Sequence, residues 1–587
     1  MKKALICWFL AAVLSACSTQ LDTDVLVIGG GTGGTAAGIA AARQGVKTII
    51  VEPTPWLGGM LTAAGVSATD GNHAMPAGIW GEFRQRVYDY YGGPDSVATG
   101  WVSNTHFEPH VGAKIFAEMA SQETKLSVWA SSNFISAEKQ GKYWRVLIDK
   151  NGEKIVVVCR ILIDATDLGD VAAAVGCGYD LGMDARSDTG EPMAPEQAND
   201  IVQDLTWCAI LKDYGKGADK TIAKPEGYDP ELFRCCCNPS PQPPKGGGER
   251  CPGEKPHPCP TMLNYAKLPG NKYLLNWPLH GNDFYANVSE LPENERLALY
   301  EKAKNKTRCF IYYIQTELGY KHLGFPDDEF PNGDGLALMP YHREGRRIHG
   351  LVRLTVNKLR ITDYGLRNEG QSAITDVNLR FRNPESAIQF TGIAVGDYPI
   401  DHHHKERPDA PVIDFPPVPS FSIPAGCLIP RDVDDLLIAD KAISVSNIVN
   451  GASRLQPVIL QVGQAAGIMA AMSVKQDVSP KQLKVREIQA EVLRSKGYLM
   501  PYYDVPPTHP QFEAIQRVGA SGLLPGKGEP YQWANRTWFY PDSLVKMADL
   551  PAGLDASQYE GLTRAQAAAL LERTVNPFAK QIGFDGK

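Results

Sequence analysis

The chain has 587 residues, and since single hydrophobic cores rarely grow past ~250–300 residues, two or three domains are expected. Hydrophobic residues make up 43% and charged residues 21%, the balance of an ordinary globular protein. The formal net charge of −7 carries no basic excess, so nucleic acid is not an expected partner, and no apolar run long enough to span a bilayer follows the N-terminus.

Lys2 and Lys3 precede the apolar run from Ala4 to Val13, and Leu14-Ser15-Ala16-Cys17 follows. A positive start, a short apolar stretch and small residues before a cleavage point describe a secretory signal. The order Leu-Ser-Ala-Cys resembles the bacterial lipobox. That resemblance implies a signal peptide over 1–16, a lipid on Cys17 and a tether over 17–23. The protein would then be exported and held at a bacterial membrane, on its periplasmic or cell-surface face. Ordinary signal cleavage, with Cys17 incidental, is the alternative.

The stretch "VLVIGGGTGGTAAGIAAARQGVKTIIVE" comes next. Val25 to Ile28 reads as a strand buried on both faces. Gly29, Gly31 and Gly34 stand at GxGxxG spacing, with Thr32 and Gly33 between them, and the alanine-rich run Thr35 to Arg43 continues as a helix. The glycines give a tight turn, a close backbone approach to a pyrophosphate and close helix–strand packing, and the helix N-terminus favours the phosphates. Val46 to Val51 is a second strand ending in Glu52, whose carboxylate is placed to accept from ribose hydroxyls. In "WLGGML", Gly58 and Gly59 remove side chains beside bound phosphates or flavin, and Met60 follows.

Leu126 to Ala130 and Trp144 to Asp149 read as strands, and Asn151-Gly152 is a hairpin turn into the apolar strand Ile155 to Ala165. Residues 183–270 are rich in loops. There Cys235, Cys236, Cys237, Cys251 and Cys259 crowd a Pro/Gly-rich stretch. Disulfides are expected for such a loop in an oxidising compartment, with metal binding or free thiols as the other readings. Connectivity is left open. At Leu436 to Ala439 and Pro457 to Ser473 the strand-and-helix pattern of the first domain returns. A discontinuous nucleotide domain (24–182 and 431–500) is therefore expected around an inserted substrate region (183–430). The fold class is α/β: a Rossmann-like parallel sheet, a mixed α+β insert, and a small helical C-terminal unit over 501–587. In that unit Phe512, Ile515 and Val518 have helical spacing, and Ala567, Leu570 and Leu571 form the apolar face of a second helix. The unit resembles a single S-layer homology-like repeat.

Six motifs in order, "VIGGGTGG", "WLGGML", "ILIDATDLGD", "REGRRIHG", "IAVGDYPIDHH" and "GASRLQPVILQVGQAAGIMAA", resemble those of the bacterial FAD-dependent oxidoreductase family, a branch of the glutathione-reductase-like flavoproteins. The likeness covers about residues 24–500. It implies FAD held along the cradle and at Ala165 and Thr166, with Arg454, Gln456 and Gly463 set against the isoalloxazine and Asp440 on a ribityl hydroxyl. The chain departs from the pattern twice. Asp167 stands where Gly is common, and Asp440-Lys441 stands where Gly-Arg is frequent.

Glu52 suits the ribose of either a nicotinamide or a flavin dinucleotide. An exported protein lies apart from the soluble nicotinamide pool, whereas a flavin stays bound, which favours FAD. The expected activity is oxidoreduction of a small-molecule or saccharide substrate, with an unidentified electron acceptor. A non-redox elimination or isomerisation, and a surface glycan-binding role, are the alternatives. Asp401 and His403 match the family's Asp-x-His, which the resemblance marks as an oriented base; a solvated polar turn, or a metal site on His402 and His404, are other readings of the loop. Arg343 and Arg347 are candidates to clamp a carboxylate or stabilise negative charge, unless Arg343 forms a structural pair with Glu344. His73 is a candidate for covalent flavin attachment. No metal site is expected.

Overall fold

The computed structural model describes residues 19–239, 251, 255–359, 384–531, 534–551 and 553–587. The expected signal peptide and Cys17 lie outside the described residues. Residues 19–23, expected in a tether, instead belong to a strand: β1 (Thr19–Ile28) pairs along its length with its neighbour at Glu153–Asp164, beginning at Thr19 opposite Ile155.

A crossover from β1 through α1 (Thr32–Arg43) to β2 (Thr48–Val51) builds the first parallel pair. β3 (Leu126–Trp129) adds in parallel outside β2. β4 (Ser132–Gln140), β5 (Tyr143–Lys150) and β6 (Glu153–Asp164) form an antiparallel run, and β6 lies parallel to β1 on its other edge. Asn151 and Gly152, both with positive φ, make the two-residue turn between β5 and β6 that right-handed strand twist favours. Val25 to Val27 and Ile161 to Ile163 are fully buried, as a parallel sheet covered on both faces requires.

The insert carries its own four-stranded sheet. β7 (Ala209–Asp213) sits at its centre, flanked by β9 (Lys272–Leu275) with β8 (Lys267–Leu268) outside it, and by β10 (Leu323–Gly324). This sheet and α2 (Glu293–Thr316) share a second hydrophobic core containing Leu211, Leu274, Phe310 and Ile314. The cysteine-rich loop is stapled by disulfides Cys235–Cys251 and Cys237–Cys259.

The chain then returns to the large sheet. β11 (Leu436–Ile438) pairs in parallel with the second half of β6, end to end with β5 on the same edge. α3 (Gln456–Gln476) is long and apolar enough by composition to cross a membrane, yet it is a core helix packed on α1. The last residues form α4 (Phe512–Ala520), a hairpin of β12 (Lys527–Tyr531) and β13 (Ala534–Trp538), and α5 (Arg564–Val575). Both helices expected in this unit are present, and the hairpin is an addition to them. β13 pairs with Val418 and Pro419, and tertiary pairing of this kind leaves no local periodicity to read.

Candidate functional site

The cradle is built as its glycines require. A Cβ at Gly33 would lie 1.5 Å from the Ala439 carbonyl oxygen, and one at Gly34 would lie 1.8 Å from that of Gly29. These two residues are closed by the protein's own packing. Gly31 differs: its φ of −60° and ψ of −167° suit any residue, and a Cβ would approach nothing closer than Asp440 Oδ2 at 3.4 Å. The space beside Gly31 belongs to a cleft of about 720 Å³. The cleft runs from Gly29, Gly31 and Glu52 past Ala165, Thr166 and Asp167 to Arg296, Tyr300, Met339 and His342.

Polar groups along it are fixed by the backbone. Glu52 accepts the Gly30 and Thr54 N–H groups, each at 2.7 Å, and burial pushes its pKa up to about 7. Thr166 donates its hydroxyl to Asp164 (2.7 Å) and accepts the Asp170 N–H (2.8 Å). Thr32 ties α1 to the glycine turn by donating to the Gly58 carbonyl (2.8 Å). Gly59 lies against Gly31, where a Cβ would come within 2.6 Å of its Cα. Asp440 reaches α1 from across the fold, accepting the Gly33 N–H at 2.9 Å, and so places negative charge at the helix N-terminus.

One extended stretch separates this cleft from a buried ionic row. Met339, Pro340 and His342 line the cleft, whereas Tyr341 and Arg343 reach the row. Its centre is His403, with Nδ1 3.0 Å from Asp283 Oδ2 and Nε2 3.1 Å from Asp401 Oδ2. Arg343 backs Asp283 (3.2 Å) and also donates to the Asp204 carbonyl (2.7 Å). Arg454 backs Asp401 (3.0 Å) and donates to the Tyr341 hydroxyl. Burial and Arg343 favour the neutral imidazole, but the two carboxylates outweigh them and raise the His403 pKa above the ordinary histidine value. Asp283 is held down at about 2, with Arg343 and then His403 overcoming its burial, and Asp401 is likewise held well below the carboxylate range by His403 and Arg454. Asp401 is the open end of this row, with 41% of its side chain exposed against 2% for Asp283.

Asp70 adjoins the open end. Its N–H donates to Gln456 Oε1 (3.2 Å) at the start of α3, while its Oδ1 is buried without a hydrogen-bond partner among the described residues. Burial, and then the Asp401 charge, push the Asp70 pKa up to about 7. The Asp70 charge in turn raises the pKa of the neighbouring Tyr398 phenol.

The family model described as FAD dependent oxidoreductase matches residues 24–492. The chain belongs to that family. FAD is therefore its cofactor. No curated protein matches the chain. Solved flavoprotein-like structures align over about a third of it. CabE, an aromatic hydroxylase from angucycline biosynthesis, is 14% identical over 35% of this chain and 40% of its own, with a TM-score of 0.23. The p-nitrophenol 4-monooxygenase PnpA from Pseudomonas putida DLL-E4 is 10% identical over 33% and 49%, with a TM-score of 0.22. A geranylgeranyl bacteriochlorophyll reductase-like protein from Thermoplasma acidophilum is 17% identical over 33% and 48%, also with a TM-score of 0.22. The chain thus spans less than half the length of each of these three, and at such values the likeness bears on neither substrate nor mechanism.

The cradle fits FAD. Gly31 leaves open the approach that a pyrophosphate needs, Glu52 stands where a ribose is recognised, and the cleft continues far enough to take the rest of a dinucleotide. Several residues expected to bind the cofactor have other duties. Gly463 is a helix-packing residue: a Cβ there would lie 2.0 Å from the Gly33 carbonyl oxygen, so it sets the approach of α3 to α1. Gln456 spends its amide on Asp70 N–H and the Ala68 carbonyl, Arg454 belongs to the Asp401 row, and Met60 is buried in the core of the insert.

The catalytic expectations change too. His403 is not a free base in this arrangement, because both ring nitrogens are committed to carboxylates. Arg347 stands apart from the row, donating to Asp184 (2.8 Å), the Gly182 carbonyl (2.7 Å) and Glu344. Arg343 pairs with Asp283 rather than Glu344. His402 and His404 lie 3.3 Å apart, and His73 does not line the cleft. Among the described residues one carboxylate–histidine grouping has metal-like spacing, Glu108, His110 and Glu329, but the Lys272 ammonium binds both glutamates at 2.6 and 3.0 Å. Sequence reasoning missed Asp70 and Asp283. Asp70 lies in "SATDGN", three residues before the His73 that drew attention, and Asp283 had no motif around it.

Proposed function

We propose that this chain is an exported, lipid-anchored flavoenzyme that oxidises or reduces a small-molecule or carbohydrate-like substrate outside the cytoplasm. The observation that carries the reading is the shared wall at residues 339–343, which sets a cofactor-sized cleft against an ionic row with one open carboxylate. Bound FAD supplies a two-electron acceptor or donor. Asp401, kept ionised by His403 and Arg454, accepts a hydrogen bond from a substrate hydroxyl or amine and orients it. Asp70 takes the proton at its unpartnered Oδ1, since a carboxyl poised near neutrality is matched to that transfer. His403 and Arg343 hold the row in place and keep its charge fixed.

The test is a visible spectrum of the purified protein followed by an anaerobic screen of sugars, alcohols and amines for bleaching of the flavin. Bleaching by a member of these classes supports the reading. A flavin that stays oxidised while a substrate is eliminated or isomerised sinks it. For the location, Cys17→Ser should release the protein from the membrane fraction or leave it held by an uncleaved signal; an unchanged mature N-terminus with wild-type fractionation refutes the lipid anchor.

A further inference from the structure

Three carboxylates gather at the pyrophosphate end of the cleft. Glu52 and Asp167 line it, and Asp440 bonds the Gly33 N–H at the start of α1. A doubly charged pyrophosphate entering here meets like charge. Of the residues lining the cleft, the one cation is Arg296, and it is paired with Asp170 at 3.2 Å. Lys441 lies just behind the wall. Its Nζ is 2.5 Å from Asp167 Oδ1 and 3.0 Å from Asp440 Oδ1, and its side chain is 1% exposed. Asp167 and the Asp440-Lys441 pair are the two places where the chain leaves the motif pattern it resembles, and they meet in one ionic cluster, with Lys441 on both acids.

We infer that Lys441 is a cofactor-binding residue that acts by neutralising Asp167 and Asp440, so that an acid-lined cradle accepts the FAD pyrophosphate. The two departures belong together: they bring in acids at 167 and 440, and both are tolerated because the cation at 441 lies between them. Removing the lysine alone leaves two buried carboxylates facing the phosphates, whereas removing Asp167 as well takes away the charge that the lysine served to balance.

The experiment follows FAD released on dilution of the holoprotein, read as recovery of free-FAD fluorescence, together with thermal unfolding of each variant. Lys441→Met should weaken FAD by about 10- to 100-fold, the scale of an uncompensated charge several ångströms from the phosphates. Asp167→Asn should bind FAD as tightly as wild type or more tightly. The Asp167→Asn/Lys441→Met double variant should return to within about threefold of wild type, since a compensating pair is non-additive. Wild-type affinity in Lys441→Met overturns the inference, and so does a double variant as weak as Lys441→Met. Should Lys441→Met fail to fold, Asp167→Asn alone decides: a loss of FAD affinity there means the pair is a structural tie and the inference is wrong.

Discussion

Gly31 and Gly33 stand two residues apart in one motif, and the structure assigns them different tasks. Replacing Gly31 with Ala places a methyl group at ordinary contact distance from Asp440 Oδ2 (3.4 Å) and the Ala165 carbonyl (3.6 Å), on a backbone that alanine adopts without strain. The flavin-free protein should therefore keep its stability to within about 0.5 kcal/mol. The same methyl group stands in the pyrophosphate approach. Disturbing one charge-assisted hydrogen bond there, at about 1.5–3 kcal/mol, predicts FAD binding weaker by about 10- to 100-fold. Gly33→Ala does the reverse. A methyl group 1.5 Å from the Ala439 carbonyl oxygen must push β11 and α1 apart, costing at least about 1–3 kcal/mol before any ligand is present. Flavin content by absorbance, FAD titration and thermal unfolding of both flavin-free variants make the comparison. Full flavin occupancy in Gly31→Ala, or destabilisation equal to that of Gly33→Ala, would refute the division of roles.

The Asp70 pKa of about 7 in the folded protein stands above the ordinary 3.8, so the native state holds a proton that the unfolded chain has lost and stability should fall as pH rises between these values. Asp70→Asn should flatten that part of the pH–stability curve and slow flavin bleaching by any substrate found; a slope identical to wild type would remove Asp70 from the argument. The Cys237–Cys259 bridge spans 22 residues, and the Cys237→Ser/Cys259→Ser pair should cost about 2–4 kcal/mol, read as a lower unfolding midpoint that reductant no longer shifts through this bridge. The C-terminal unit supports the site directly: Tyr503 donates to Asp397, whose other oxygen accepts the Asn72 N–H at 2.6 Å. Tyr503→Phe takes one hydrogen bond from that half-buried carboxylate and should destabilise the protein by about 0.5–1.5 kcal/mol in thermal unfolding, where no change would show the contact to be idle.

What the sequence determined by itself was local. Val25 to Glu52 reads as strand, glycine turn, helix and strand because its apolar periods, its glycines and its terminal acid lie within one crossover, where short-range sterics and hydrogen bonds decide the conformation. The Asn151-Gly152 turn and the small-residue helix α3 were legible for the same reason. The pairings between distant segments were not. Periodicity marks which face of an element is buried, never which residue meets it. Only the folded chain sets Asp283 against His403 across 120 positions, joins Lys441 to Asp167 and seats Gly463 on Gly33. Those contacts raise the pKa of the histidine, set the charge balance of the cradle and fix the approach of two helices. Each depends on close packing of elements remote in sequence, and so tertiary structure alone clamped the His403 ring between two carboxylates, raising its pKa, and left Asp70 with a carboxylate oxygen unpartnered among the described residues.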